Sequence, residues 1–208
     1  MTIDPDLNES NEATLLARQA ATDPALVASL IDGIGPAAKK TTIRHASFDA
    51  LMNLAKNHPE MLLPYWDQFT NLLSSSNNST LYCVVYLLAA LTPAVPAKQF
   101  DLLLEPLYAL LDGSSVMVAS HVAAVSGQIV QARPDLEERI TALLLAPRKS
   151  PLESERQDLV KSYAIEAMDT YFDIATQPDA IIGFVWRQLD CASPKTRKAA
   201  ENFLKKHG

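Results

Sequence analysis

The side chains of this 208-residue chain that could do chemistry fall into no catalytic or metal-binding spacing. His45, His58, His121 and His207 lie far apart. No H-E-x-x-H or H-x-x-x-H sets two imidazoles on one helical face, as a helical metal site needs. Cys83 and Cys191 stand alone, outside any C-x-x-C pair, and read as reduced thiols in packing positions. No G-x-S-x-G frames a serine nucleophile, and no glycine-rich loop is built to cradle phosphate. Gly33, in "LIDGIGP", reads as a helix C-terminal cap. The expectation is a protein with no cofactor, no bound zinc, iron or calcium, and no enzymatic activity.

Carboxylates and aromatics on helix faces remain. In "MLLPYWDQFTNLL" the apolar stripe Leu62, Tyr65, Trp66, Phe69, Leu72 and Leu73 leaves Asp67, Gln68 and Asn71 facing outward. With Phe100, Leu103, Leu107 and Leu110 inward, Asp101, Glu105, Tyr108 and Asp112 face out. With Leu136, Ile140 and Leu143 inward, Glu138 and Thr141 face out, and further on Arg187 does. The candidate partner-binding residues are Asp67, Asp101, Glu105, Tyr108, Glu138 and Arg187. They predict an acidic groove with Tyr108 as its exposed anchor. Such a surface suits a basic helical or extended protein segment, because opposite charge speeds capture and sets orientation. Trp66 belongs to the core stripe, whereas Trp186 flanks its stripe and is expected to be partly exposed. Between about 152 and 176, Tyr163, Ala167, Tyr171 and Ile174 are expected inward, with Glu166, Asp169 and Asp173 on the opposite face. Lys195, Arg197, Lys198, Lys205 and Lys206 near the end balance them.

The elements that must position these residues are marked by proline. Pro24, Pro59, Pro96, Pro134 and Pro178 recur at intervals of 35, 37, 38 and 44 residues, a period typical of stacked helical pairs. An apolar helical pattern and a short polar step precede each proline, and a second pattern with a leucine-rich end follows. Proline costs nothing at the first position of a helix, where its missing N–H would be unpaired anyway. Pro64 is different: it lies a turn further in and either restarts or kinks its helix. "SPLE" (150–153) and "SPKT" (193–196) each read as serine cap and proline start. The stretch "APRKSPLESE" is an enlarged connection. Glycine is scarce (6 residues), which argues against a β-rich fold.

Residues 43–73, "IRHASFDALMNLAKNHPEMLLPYWDQFTNLL", resemble a HEAT repeat. Ile43, Arg44, Ala50 and Leu51 fit the first-helix pattern, and Arg197, Ala199 and Ala200 fit it again. The middle units lack the arginine. The resemblance implies an all-α, right-handed α-α superhelix of about five helical pairs over residues 10–208; a flexible segment is expected at 1–9, where "TIDPDLNE" has nothing to bury. It also implies a non-enzymatic interaction scaffold whose concave face holds another protein. The alternative is a DNA-binding, alkylation-repair-type glycosylase on the same scaffold. That enzyme needs a basic concave face, and the net charge of −6 has the wrong sign for a phosphate backbone. Nucleic acid is therefore not an expected partner. Neither is membrane, since the longest apolar run, "LYCVVYLLAAL", is too short to span roughly 30 Å of hydrocarbon. The start "MTIDPDLNES" has no signal-peptide pattern, and a cytoplasmic protein is expected.

Overall fold

The computed structural model describes residues 5–147, 149 and 151–208, with side chains from residue 13 onward. Every regular element among these residues is helical. The chain divides into two compact units, residues 1–99 and 100–208. The first holds α1 (Pro5–Ala20), α2 (Pro24–Ile34), α3 (Thr41–Asn57), α4 (Trp66–Asn71) and α5 (Asn78–Leu91), and α6 (Ala97–Asp101) carries the boundary. The second holds α7 (Leu104–Ala109), α8 (Val116–Ala132), α9 (Glu137–Leu145), α10 (Ser154–Asp169), α11 (Pro178–Trp186) and α12 (Pro194–His207).

The fold class is the expected all-α helical-repeat solenoid. In unit 1, α1, α3 and α5 form one layer, against which α2 and α4 pack. In unit 2, α8, α10 and α12 form the corresponding layer, and α9 and α11 pack against it. Each recurring proline marks the second member of a pair. Pro24 is the first residue of α2, where the Asp23 carboxylate accepts from the N–H groups of Ala25 (2.9 Å) and Leu26 (3.3 Å). Pro178 opens α11, and Pro194 opens α12 behind the capping Ser193.

Pro59 and Pro64 give two successive 3-10 turns, Pro59–Met61 and Leu63–Tyr65, and α4 starts only at Trp66. Pro64 has no N–H, and its ring blocks the carbonyl one turn back. The tighter bonds from Leu62 N to Pro59 O (2.9 Å) and from Tyr65 N to Leu62 O (3.0 Å) replace the α-helical pattern there.

Several local expectations are corrected. Gly33 does not end α2. It is buried inside the helix, where a Cβ would collide with Ser47 Oγ of α3, so it permits close helix approach; Gly35 takes the cap position. Pro151 opens no helix. Ser150 lies outside the described residues, and α10 begins at Ser154, the Glu153 carbonyl accepting its first N–H bonds. Of the expected flexible segment 1–9, residues 1–4 lie outside the described residues, and the backbone of the rest belongs to α1, which starts at Pro5. Ile174 is exposed, because α10 stops at Asp169 and a 3-10 turn (Phe172–Ile174) redirects the chain.

The unit 1 core is built on Leu51, Leu54, Phe69, Leu87 and Leu88, and the unit 2 core on Phe100, Leu103, Leu107, Val122 and Ile140, all essentially inaccessible. Helix α5 is buried on nearly every face. Only Tyr82, Tyr86 and a few small residues reach the surface, and these tyrosine rings lie 5.0 Å from each other and 5.5 and 6.5 Å from Phe48 of α3.

Candidate functional site

Tyr108 is not an exposed anchor. Only 3% of it is accessible, and its hydroxyl donates to Ser126 Oγ on α8 (2.8 Å). That serine donates onward to Val122 O (3.0 Å). Burial pushes the phenol well above its ordinary range. Its reversal follows from the short α7: the helix starts after a non-helical step at Leu102 and Leu103, which shifts the face it buries. Leu102 emerges instead, 79% exposed. Thr141 is also buried rather than outward. Its hydroxyl donates to Glu137 Oε1 (2.8 Å) and lies 2.9 Å from the Tyr171 hydroxyl. Tyr171 is raised to about 12 by burial.

The acids around Tyr108 are satisfied from within unit 2. Arg133 bridges Asp101 (2.9 Å) and Asp135 (2.6 Å), and its hydrogen bonds hold the Asp135 carboxyl below the usual carboxylate range. Arg139 of α9 pairs with Glu105 of α7 (3.0 Å). Glu138 accepts from Gln177 Nε2 (3.2 Å), and Asp112 accepts from the Lys149 N–H (2.9 Å). Two repulsive rows of carboxylate are thereby turned into cross-links between neighbouring second helices. Glu105 and Glu138 remain exposed, as does Arg187 at the end of α11. Their charge is largely internal, so the expected acidic groove through unit 2 is weaker than its residue types imply.

A different cleft sits on the second-helix face of unit 1. It has a volume of about 420 Å³ and lies between the C-terminal end of α2 and α4, lined by Ile31, Asp32, Pro36, Ala37, Gln68 and Leu72. Asp32 and Gln68 are exposed, and Asp67 projects from α4 beside Gln68. Among the described residues neither Asp32 nor Asp67 forms an ion pair. Ile31 and Leu72 supply apolar wall, and the Gly35–Pro36 turn keeps the rim free of bulky side chains. The turn is braced from behind, where Arg44 donates to the carbonyls of Gly35 (3.2 Å) and Ala38 (2.8 Å). Of the sequence-derived set, Asp67 comes nearest: it does not line the cleft but is the exposed chain neighbour of Gln68, which does. Asp32 was missed because "LIDGIGP" reads as a helix end, and only the approach of α4 makes that end a wall.

Trp66 is buried, as expected, and Trp186 is 57% exposed. Both cysteines are free, Cys83 buried and Cys191 half-buried. The described residues contain no group of three or more His, Cys, Asp or Glu placed to hold a metal ion, and no helix long and apolar enough to cross a membrane.

No family model matches the chain, and neither does any curated protein. Solved structures similar to it include designed armadillo repeat proteins. A designed armadillo repeat protein aligns over 100% of this chain and 96% of its own, at 15% identity and a TM-score of 0.47. Another, solved with the peptide (KR)4, aligns over 94% and 91%, at 14% identity and a TM-score of 0.46. A third, computationally designed for modular peptide recognition, aligns over 94% and 92%, at 16% identity and a TM-score of 0.45. At TM-scores below 0.5 these likenesses assign neither a repeat class nor a partner.

Proposed function

We propose that this chain is a non-catalytic protein-binding scaffold of HEAT-like helical pairs, and that the α2–α4 cleft of unit 1 receives a basic stretch of another protein. The carrying observation is the contrast in how carboxylates are used. In unit 2 the candidate acids Asp101, Glu105 and Glu138 are taken by the chain's own arginines and a glutamine amide. In unit 1, Asp32 lines a cleft beside apolar walls, Asp67 stands exposed next to the lining Gln68, and neither forms an ion pair among the described residues. A lysine or arginine head would meet the carboxylates while its methylene stem lies along Ile31 and Leu72. Complementary charge of this kind chiefly raises the association rate and fixes orientation.

The test is a titration of a labelled lysine- and arginine-rich peptide into the wild type, an Asp32→Lys, Asp67→Lys double variant, and a Glu155→Lys, Asp179→Lys control. The control makes the same charge change on unit 2. The expected result is a loss of about tenfold or more in the cleft variant and much less in the control. Equal losses would reduce the effect to net charge and remove the cleft from the proposal.

A further inference from the structure

Helix α12 carries lysines where a helix least favours them. Lys195 and Lys198 lie in its first turns, with no acidic residue in the first turn to offset them. The positive end of the helix dipole opposes cations there. Lys206, in the last turn, is favoured by the same dipole. Lys195, Lys198, Asn202 and Lys206 nevertheless fall on one face of α12 and line one side of a groove of about 460 Å³, whose other side is Glu166 and Asp169 of α10.

The two outer lysines are pinned. Lys195 lies 3.7 Å from Glu166 and sits over the Tyr163 ring, 3.3 Å from its centroid. Lys206 lies 2.9 Å from Asp169, which also meets His207 Nε2 at 2.6 Å. Lys198 lies between these pairs and forms no ion pair among the described residues, and Asn202 is exposed beside it. The groove thus carries one ammonium more than it has carboxylates, with the flanking ammonium groups held in place before any ligand arrives.

We infer that the α10–α12 groove of unit 2 is a docking site for an acidic protein segment, with one of its carboxylates seated between Lys198 and Asn202. Two features favour a carboxylate over a phosphate. The groove's net charge of one suits a monoanion. Glu166 and Asp169 oppose any further negative charge. This site stands apart from the α2–α4 cleft, in the other unit and with the opposite sign, and neither depends on the other.

The experiment uses the full chain, labelled with nitrogen-15, and a short glutamate-rich peptide at low ionic strength. The peptide is expected to shift the backbone amides of residues 195–206. Lys198→Glu should weaken it about tenfold or more, and Lys198→Gln by less. Lys205→Glu, the same charge change on the exposed side of the same helix, should weaken it by under about threefold. Because Lys198→Gln only removes a surface charge, it preserves the test should Lys198→Glu perturb the fold. Equal losses for Lys198→Glu and Lys205→Glu, or shifts confined to other elements, would overturn the inference. So would displacement of the peptide by inorganic phosphate or a short DNA duplex at matched ionic strength, which would mark a general anion surface.

Discussion

At the residue scale, one buried carboxylate that no functional reading selected ties two helical pairs together. Glu137 is 2% exposed and forms no ion pair among the described residues. Its oxygens accept from Thr141 Oγ1 (2.8 Å), Thr176 Oγ1 (2.8 Å) and Thr176 N (3.0 Å), tying α9 to the turn before α11. Glu137→Ala orphans these donors and is expected to cost about 2–4 kcal/mol in a urea unfolding curve. Tyr108→Phe removes one buried hydrogen bond and should cost about 1 kcal/mol. Tyr108→Ala opens a core cavity and reports on folding rather than on binding. Asp169 offers a pH test. Partial burial pushes its carboxyl up, but the hydrogen bonds from Lys206 and His207 outweigh this and leave it lowered. A depressed folded-state value means that its stabilisation is present above the unfolded value of about 4 and is lost as pH falls through the folded one. Asp169→Asn should therefore lower stability near neutral pH and flatten the decline below about pH 4, read from melting temperatures across that range.

At the element scale, α5 and the α8–α10 contact carry the sharpest expectations. Leu87 is wholly buried on an almost fully buried helix, and Leu87→Ala is expected to cost about 2–5 kcal/mol. An unchanged melting temperature would place α5 at the surface. Gly127 lets α8 and α10 approach closely, since a Cβ there would collide with Thr170 Oγ1 and lie 3.1 Å from Ala167 O. Gly127→Ala should lose about 1–3 kcal/mol despite alanine's better helix propensity, because the backbone carbonyl cannot move aside cheaply. The helix pairs themselves were legible from the prolines, because a proline-directed start is a local steric event. The faces were legible only where a helix is regular. At Pro64, at the step before α7 and at the 3-10 turn before α9, a shift from 3.6 to 3 residues per turn moves the face that later residues present. Tyr108 and Thr141 were misplaced for that reason, while Glu138 and Arg187 kept their expected outward positions.

At the scale of the whole molecule, a chain of net charge −6 has, among the described residues, no ion pair for Asp32 and Asp67 at and beside a cleft of unit 1, and one lysine more than carboxylates in a groove of unit 2. Under this arrangement duplex DNA at low salt should bind no better than it does to an acidic control protein, as fluorescence anisotropy would show. Tight, salt-sensitive binding would instead revive a glycosylase-type reading. By itself, the sequence determined the helical class, the proline-marked pairs, the burial of α5 and Trp66, and the sign of the net charge. These depend on periodicity, local sterics and composition, which act over a few residues. Only the tertiary structure decided which carboxylates are spent. Arg133 reaches Asp101, and Arg139 reaches Glu105, across more than thirty residues of chain, while Asp32 and Asp67 have no ion pair among the described residues. Whether a surface acid is free to meet a partner depends on which distant side chain packing brings beside it, and no local pattern records that distance.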